Sequence, residues 1–472
     1  MKTSTKPHFL SITALVLLSV NAVLNIRGLP IFAHIGLQAL GFYLLAAIGF
    51  LIPSSLASAE LSARVGSFGG VYGWVSAALG QRMGFLAMWL EWINNVISFP
   101  ATLSTIAATL LYFIFPDISE HRWIFFGVMM LILWSLTLLN LRGIKISALF
   151  SSVGSIFGTI LPGIFVMILG VIWVLWKHPI GFLIHPSHIF PPLEFSSLSL
   201  WVGVMGALSG MQITGFHLAN IQNPSRDFPK VMAISVILIL VLSLGAIFSM
   251  SAVVPPGELN LLSGVIQMYQ VFFHSVGWDW ILGIFVVLLS LGMMASMSAW
   301  MLGPARGMQY AANEGLLPPW FSKLNKRHAP KNILWIQSTV SSVLAFSFVV
   351  MPSFKEVFWM LIALMGQFTV LMYILIFSSL WTLKIKSLKT SENSLRFVIP
   401  GGLWGVSCVS ILGLLSCGVA FCVGISPPSQ LGMTSTTDFV IRMVLIDGVI
   451  LIFPCVYWFF CGESVKRRIA KK

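Results

Sequence analysis

The sequence predicts an all-α polytopic membrane protein, and three observations support this fold class. Hydrophobic residues make up 57% of the 472 residues and charged residues only 9%, with a mean hydropathy of +0.94. Such a chain has too little polar surface to cover a soluble globule. Apolar runs long enough to cross the roughly 30 Å hydrocarbon core recur along the whole chain. Two of these runs are interrupted near their middle by glycine, proline and polar residues.

Twelve apolar runs are predicted to be membrane-spanning helices. The first follows Lys2 and Lys6, as a signal peptide would, but its apolar part is too long and no small-residue cleavage site follows. It is therefore expected to be retained as a helix. The twelve predicted spans are approximately residues 9–34, 37–59, 83–115, 122–141, 147–176, 197–222, 230–254, 280–311, 332–352, 357–383, 398–424 and 438–461.

The basic residues predict the topology. The formal net charge is +13, but most of the 27 lysines and arginines fall between spans that a cytoplasmic amino terminus would place inside. This is the positive-inside bias of membrane proteins. Both termini are expected in the cytoplasm, most naturally that of a bacterium with the chain in its inner membrane. The charge gives no reason to expect a nucleic-acid partner, and the sequence predicts no oligomeric state.

Metal, cofactor and enzyme chemistry are not predicted. All five cysteines lie in the last two spans without C-x-x-C or Cys/His spacing, as expected of thiols packed as small hydrophobes. The chain has no HExxH motif, no clustered Ser/His or Asp pair at mid-membrane depth, and no phosphate-binding loop for ATP-driven pumping.

Two predicted spans carry breaks at mid-depth. The first break is Asn25-Ile26-Arg27-Gly28, followed by Pro30, which suits the first turn of a restarting helix. A proline kink in a continuous helix is the alternative. The second break runs through Ser209, Gly210, Gln212 and Thr214 in the sixth span. Unwound backbone survives at this depth only inside protein or beside a cavity, so each break is a candidate binding site for a polar solute.

The two breaks lie five spans apart, in helices that run in opposite directions through the membrane. Paired breaks of this kind predict a five-plus-five inverted repeat. Repeat one is expected at about 9–176 and repeat two at about 197–383, followed by two extra helices at about 398–461. Together they form a single transmembrane domain, 1–461, ending in a short basic cytoplasmic tail, 462–472.

Three stretches resemble the amino acid–polyamine–organocation superfamily, in particular glutamate/GABA antiporter-like exchangers. Residues 223–229 read NPSRDFP, residues 298–308 read SAWMLGPARGM with LLP at 316–318, and residues 69–75 read GGVYGWV after Ala59-Glu60-Leu61. The resemblance covers nearly the whole chain. It implies a twelve-helix inverted-repeat fold with helices 1 and 6 broken, and transport of an amino acid or amine by alternating access, commonly as exchange.

Departures from these exchangers bear on the substrate. Gln212 stands where the family usually has glutamate, and Asn220 stands where acid-dependent relatives carry another. Ala295-Ser296-Met297 lacks the carboxylate expected there in those relatives. Glutamate/GABA exchange is therefore not assumed.

Charged residues deep in membrane helices are costly and usually mark a pathway or a buried partner. Arg27 and Glu91 are expected to face one central cavity, where Arg27 receives a substrate carboxylate with its planar donors. Glu91 either neutralises Arg27 in the empty carrier or binds a substrate ammonium. A structural ion pair beside the pathway is the alternative. Arg442 and Asp447, in the last span, are expected to serve packing or oligomer contacts.

Neutral polar residues and an aromatic side chain complete the candidate site. Asn94, Asn95 and Ser296 are expected to add hydrogen bonds, with Gln367 a weaker candidate. Trp300 is a candidate gate, or simply packed. The complete predicted binding set is Asn25, Ile26, Arg27, Gly28, Glu91, Asn94, Asn95, Ser209, Gly210, Gln212, Thr214 and Ser296.

At the exit of the sixth span, Arg226 and Asp227 are candidates for a gate latch, with a solvated loop pair as the alternative. The leading functional hypothesis is a secondary transporter of an amino acid or its amine product, working as an exchanger. The alternatives are a non-transporting nutrient sensor of transporter fold and a proton-coupled amino acid symporter.

Overall fold

The structure is a computed structural model that describes most of the chain. The described residues are 11–24, 26–65, 70–112, 114–115, 118–143, 150, 154, 156–176, 178–181, 189–190, 194–212, 223–387, 397–429 and 436–470.

The described residues form helices and connecting turns, without β-strands. Apolar sequence in lipid dictates this, because a helix satisfies its backbone hydrogen bonds within one segment. The α-helices are Ile12–Val23, Leu29–Ala33, Gln38–Ala46, Ile52–Val65, Gly70–Leu79, Gln81–Leu111, Arg122–Leu141, Leu161–Leu175, Phe195–Leu198, Leu200–Ala207, Pro224–Val253, Gly264–Ser275, Leu282–Asn313, Lys331–Ala345, Ser347–Val350, Phe354–Ser387, Gly402–Val423 and Thr436–Ala470.

Eight helices among the described residues are long and apolar enough to cross a membrane. The third predicted span coincides with the 31-residue helix Gln81–Leu111, which carries more polar residues. The first, fifth and sixth predicted spans are described in shorter pieces. The multi-pass helical architecture follows from these helices, while the count of twelve spans stays a prediction.

The helices Gln81–Leu111 and Phe354–Ser387 form the middle of the bundle. They pack against each other, and Leu200–Ala207 packs on Phe354–Ser387. Glycine makes the second contact close, because a Cβ on Gly366 would lie 2.7 Å from the Val202 carbonyl oxygen. Small residues permit such close approach between membrane helices. The first half of the broken sixth span is therefore fixed against a central helix.

The last helix makes a polar contact with the centre of the bundle. Asp447 is buried, and its carboxylate accepts a hydrogen bond from Gln367 Nε2 in the amide orientation that satisfies both groups. In that orientation Gln367 Oε1 accepts from the Ile425 N–H at 3.2 Å. Asp447 thus packs within the chain, whereas Arg442 is exposed on the same helix.

A buried ion pair lies at the end of the helix that follows the first span. Glu60 is fully buried and accepts from Arg64 Nε at 2.8 Å and from Arg64 Nη2 at 2.5 Å. Its second oxygen accepts the Ile399 N–H at 2.8 Å. The carboxylate therefore ties this helix to the segment that precedes helix Gly402–Val423.

Candidate functional site

The first span is broken, as the sequence predicts. Helix Ile12–Val23 ends, Ile26–Gly28 forms a 3₁₀ turn, and Leu29–Ala33 restarts with proline in its first turn. Gly28 has φ −83° and ψ −16°, which any residue adopts. The first break therefore requires no special backbone freedom at Gly28. Asn25 lies outside the described residues.

The Arg27 side chain extends from this break to two neighbouring helices. Its Nη1 donates to the Ser98 carbonyl oxygen at 3.1 Å and to Thr102 Oγ1. Its Nη2 faces Met365 Sδ at 3.8 Å. Arginine is a rigid planar fork of five donors, so these contacts fix the orientation of the guanidinium.

The sixth span loses its helical winding at the predicted position. Helix Leu200–Ala207 ends, and Ser209 Oγ donates to the Gly206 carbonyl oxygen at 2.7 Å. Gly210 then takes φ +122°, a conformation closed to other residues. Thr214 lies outside the described residues, as does the rest of the segment 213–222.

Tyr373 holds the unwound end of this span. Its hydroxyl donates to Gln212 Oε1 and accepts the Gly210 N–H at 3.4 Å. Tyr373 and Gln212 are both buried. The tyrosine thus supplies a hydrogen-bond partner for the buried Gln212 side chain and for the Gly210 N–H just beyond the end of the helix.

A cavity of about 120 Å³ lies between the two breaks and the helices beside them. This is several times the roughly 10–15 Å³ that one water requires, so a small solute fits. The cavity brings together six of the predicted residues, namely Arg27, Asn94, Asn95, Ser209, Ser296 and Trp300.

One wall of the cavity is a polar stripe on helix Gln81–Leu111. Asn94, Ser98 and Thr102 are spaced four residues apart and therefore lie on one helix face. Asn94 Oδ1 is buried and has no hydrogen-bond partner among the described residues. A buried acceptor without a partner is costly, so Asn94 Oδ1 suits a donor that arrives with a ligand.

The facing wall is apolar and comes mainly from helix Leu282–Asn313. Met293, Met297 and Trp300 lie on one face of that helix, with Ser296 between them. Met365 of the Phe354–Ser387 helix completes the apolar side. The cavity lining therefore combines polar side chains with three thioether side chains, one of which, Met365, contacts Arg27.

Other predicted residues lie outside the cavity lining. Glu91 is half-buried, and among the described residues no ion pair joins it to Arg27. The Gln212 side chain is hydrogen-bonded to Tyr373 and does not line the cavity. Gly28 and Gly210 are not among the lining residues either. Ile26 belongs to the 3₁₀ turn of the first break.

The candidate latch residues lie at the start of helix Pro224–Val253. The backbone N–H groups of Arg226 and Asp227 donate to the Asn223 carbonyl oxygen, at 3.1 Å and 2.8 Å. The Arg226 side chain is exposed, and within the described part of the chain neither side chain forms an ion pair. Their gating role stays a prediction.

A second, wider cavity of about 520 Å³ lies beyond the first one along helix Gln81–Leu111. It begins at Ala108 and is lined by His34, Tyr112, Glu258 and Lys355, among others. Thr102 and Ala108 are separated by about 9 Å of helix. Thr102 lines the first cavity and Ala108 the second, so the two cavities follow one another along this helix.

The family follows from the chain as a whole. A model of the amino acid permease family matches residues 9–453. This chain belongs to the amino acid permease family. The permease is 36% identical to an uncharacterized transporter of Legionella pneumophila, over 96% of this chain and 97% of the relative. It is 29% identical to the glutamate/gamma-aminobutyrate antiporter of Lactococcus lactis subsp. cremoris, over 95% and 90% of the two chains.

A solved structure shares the fold. The crystal structure of MhsT in complex with L-phenylalanine matches with a TM-score of 0.58 at 13% identity, covering 89% of this chain and all of that one. The predicted fold class, an all-helical inverted-repeat transporter fold with broken helices, is confirmed. The permease is an integral multi-pass membrane protein that transports amino acids, as the resemblance to antiporter-like exchangers implied.

Several cavity residues were not predicted. Ser98 and Thr102 follow Asn94 at intervals of four residues, so the sequence could have predicted a polar face on the third span. Met293 and Met297 gave no such signal, and neither did Tyr373, which lies outside the cavity lining, because an apolar or aromatic residue in a membrane helix is usually packing.

Proposed function

We propose that this permease exchanges amino acids across the membrane and binds them in the cavity between the two breaks. One observation carries the proposal. The guanidinium of Arg27 lines a cavity that also holds a buried acceptor, Asn94 Oδ1, for which the described part of the chain offers no hydrogen-bond partner. A cationic fork and an acceptor in one cavity match the two ends of a zwitterion.

The carboxylate of the substrate pairs with Arg27. Nη2 faces a thioether sulfur, a weak acceptor, and a carboxylate oxygen replaces that contact with a charge-assisted hydrogen bond. The ammonium of the substrate donates to Asn94 Oδ1, and Ser209 offers a hydroxyl beside the second break. Binding joins the two broken helices and shifts the population between inward-facing and outward-facing forms.

The pathway has a proposed direction. The positive-inside bias places both termini in the cytoplasm of a bacterial inner membrane. The 520 Å³ cavity then opens outside, and Trp300 lies on the cytoplasmic side of the binding cavity. In this arrangement Trp300 gates the cytoplasmic exit of the cavity. Arg226 and Asp227 help to close the cytoplasmic exit in another conformational state.

Counterflow tests the proposal. The full-length chain is reconstituted in liposomes loaded with one unlabelled amino acid or amine, and uptake of the labelled compound is followed. Uptake is expected only when the lumen contains an exchangeable substrate. Arg27→Ala is expected to abolish it, and Arg27→Lys to restore little, because an ammonium lacks the planar fork.

Arg442→Ala is the matched control, because it removes an exposed arginine from another span. It is expected to leave counterflow unchanged. Equal uptake into empty liposomes would contradict exchange. Binding without any flux would favour the nutrient sensor, and wild-type flux in Arg27→Ala would discard the proposed site.

A further inference from the structure

We infer that this cavity selects zwitterionic amino acids with a flexible apolar or thioether side chain, over substrates with a second charged group. The inference rests on the proposed function and adds the chemistry of the side-chain subsite. It depends on how charge and apolar surface are divided between the two walls of the cavity.

The apolar wall consists of adaptable side chains. Met293 and Met297 are buried and face the cavity from one helix, and Met365 faces it from another. Phe99 adds an aromatic face and is also buried. Methionine is unbranched and polarizable, so a surface of this kind accommodates apolar groups of different shape.

Most polar side chains of the lining come from another helix, while Ser296 lies between the methionines and Ser209 beside the second break. Asn94, Ser98 and Thr102 follow one face of helix Gln81–Leu111, and Arg27 is tied to that face through Ser98 and Thr102. A substrate that pairs its carboxylate with Arg27 and its ammonium with Asn94 therefore directs its side chain to the methionines.

Charge within the cavity excludes the other substrate classes. Of the described residues that line the cavity, Arg27 alone carries a formal charge. A second carboxylate, as in glutamate, or a second ammonium, as in lysine, would be buried among thioethers without a counter-charge. A diamine has no carboxylate for Arg27 and brings a like charge close to it.

Competition in the wild-type exchanger tests the inference. Proteoliposomes exchange a transported, labelled amino acid while L-methionine, L-leucine, L-phenylalanine, L-glutamate, L-lysine and putrescine compete. The three apolar amino acids are expected to inhibit at concentrations at least about tenfold lower than the other three. Methionine methyl ester, which lacks the carboxylate, is expected to lose this advantage.

Subsite variants give a second readout. Met297→Ala is expected to raise the KM for methionine about tenfold and to leave the KM for alanine nearly unchanged, because only the longer side chain loses contacts. Met297→Leu conserves volume and is expected to restore most of the methionine KM that is lost in Met297→Ala. Met294→Ala is the control, since Met294 lies on the same helix outside the cavity lining.

The two proposals fail in different ways. If no amino acid is exchanged, the proposed function is wrong. If exchange occurs but glutamate, lysine or putrescine competes as well as methionine, the function stands and the side-chain inference is overturned. An equal KM change for alanine and methionine in Met297→Ala would also overturn it.

Discussion

The Tyr373 hydroxyl donates a hydrogen bond to Gln212 Oε1 and so joins the central helix Phe354–Ser387 to the unwound part of the sixth span. The Tyr373 hydroxyl oxygen also accepts the Gly210 N–H. The Tyr373 side chain thus provides a hydrogen-bond partner for both Gln212 Oε1 and the Gly210 N–H at the second break. Gln212, at the family's usual glutamate position, is directed to a structural partner and is not among the residues that line the cavity.

Tyr373→Phe is expected to slow transport about tenfold while the chain still inserts and folds. The substitution leaves the buried Gln212 oxygen without its donor, at a cost of about 1–3 kcal/mol. Gln212→Ala should slow transport too, and the double variant should be no slower than the worse single one, because the pair acts as a unit. Initial counterflow rates per folded transporter provide the measurement.

Tyr269→Phe is the matched control for that pair. Tyr269 is also buried and donates to the Pro162 carbonyl oxygen at 2.8 Å, and it lies outside the lining of the 120 Å³ cavity. It should lower thermal stability and leave the rate per folded molecule unchanged. Strictly additive effects of Tyr373→Phe and Gln212→Ala would show that the contact does not couple them.

Asn94→Leu is expected to weaken substrate binding about tenfold or more without loss of stability. The substitution removes an acceptor that is buried and has no partner among the described residues, so the empty protein loses no hydrogen bond at Oδ1. Only the bound substrate loses one. Substrate Kd and apparent melting temperature in detergent separate the two effects. Unchanged affinity together with a lower melting temperature would mean that Asn94 is structural.

The two break glycines should respond differently to alanine. Gly210 has φ +122°, so Gly210→Ala should cost about 1–3 kcal/mol of strain and reduce both folded yield and transport. Gly28 has φ −83°, and an added Cβ would meet only Phe32 Cε2 at 3.9 Å. Gly28→Ala should therefore retain most of the flux. Yield and counterflow of the two variants, compared side by side, test this difference.

Glu60→Ala is expected to destabilise the permease strongly. Breaking a buried ion pair typically costs about 3–5 kcal/mol, and here the Ile399 N–H loses its acceptor as well. The apparent melting temperature in detergent should fall by several degrees. Glu194→Ala, at an exposed site, should leave it unchanged. Equal melting temperatures for the two variants would contradict a structural role of Glu60.

The breaks could be predicted from the sequence because glycine, proline and polar residues stand out in apolar runs. The same contrast identified Arg27, Asn94 and Ser296, which the structure brings to one cavity. Local pattern does not show which way a side chain turns once helices pack. Gln212 turns to Tyr373, and Asp447 turns inward to Gln367, because each finds a buried partner on the Phe354–Ser387 helix.

The apolar residues of the cavity lining could not be predicted from the sequence, again because local pattern does not show how helices pack. Met293 and Met297 have the composition and spacing of ordinary packing residues, and only the approach of helix Gln81–Leu111 gives them a polar wall to face. Residue type alone does not distinguish the two break glycines either. Gly210 takes φ +122°, whereas the 3₁₀ turn at Ile26–Gly28 uses ordinary right-handed backbone.

A cryo-EM map of the full-length permease in lipid nanodiscs, saturated with a transported amino acid, tests substrate binding between the breaks most directly. We predict density in the 120 Å³ cavity, with the carboxylate within hydrogen-bond distance of Arg27 and the amine next to Asn94. Density confined to the wider cavity beside Lys355, with the central cavity empty, would contradict the account.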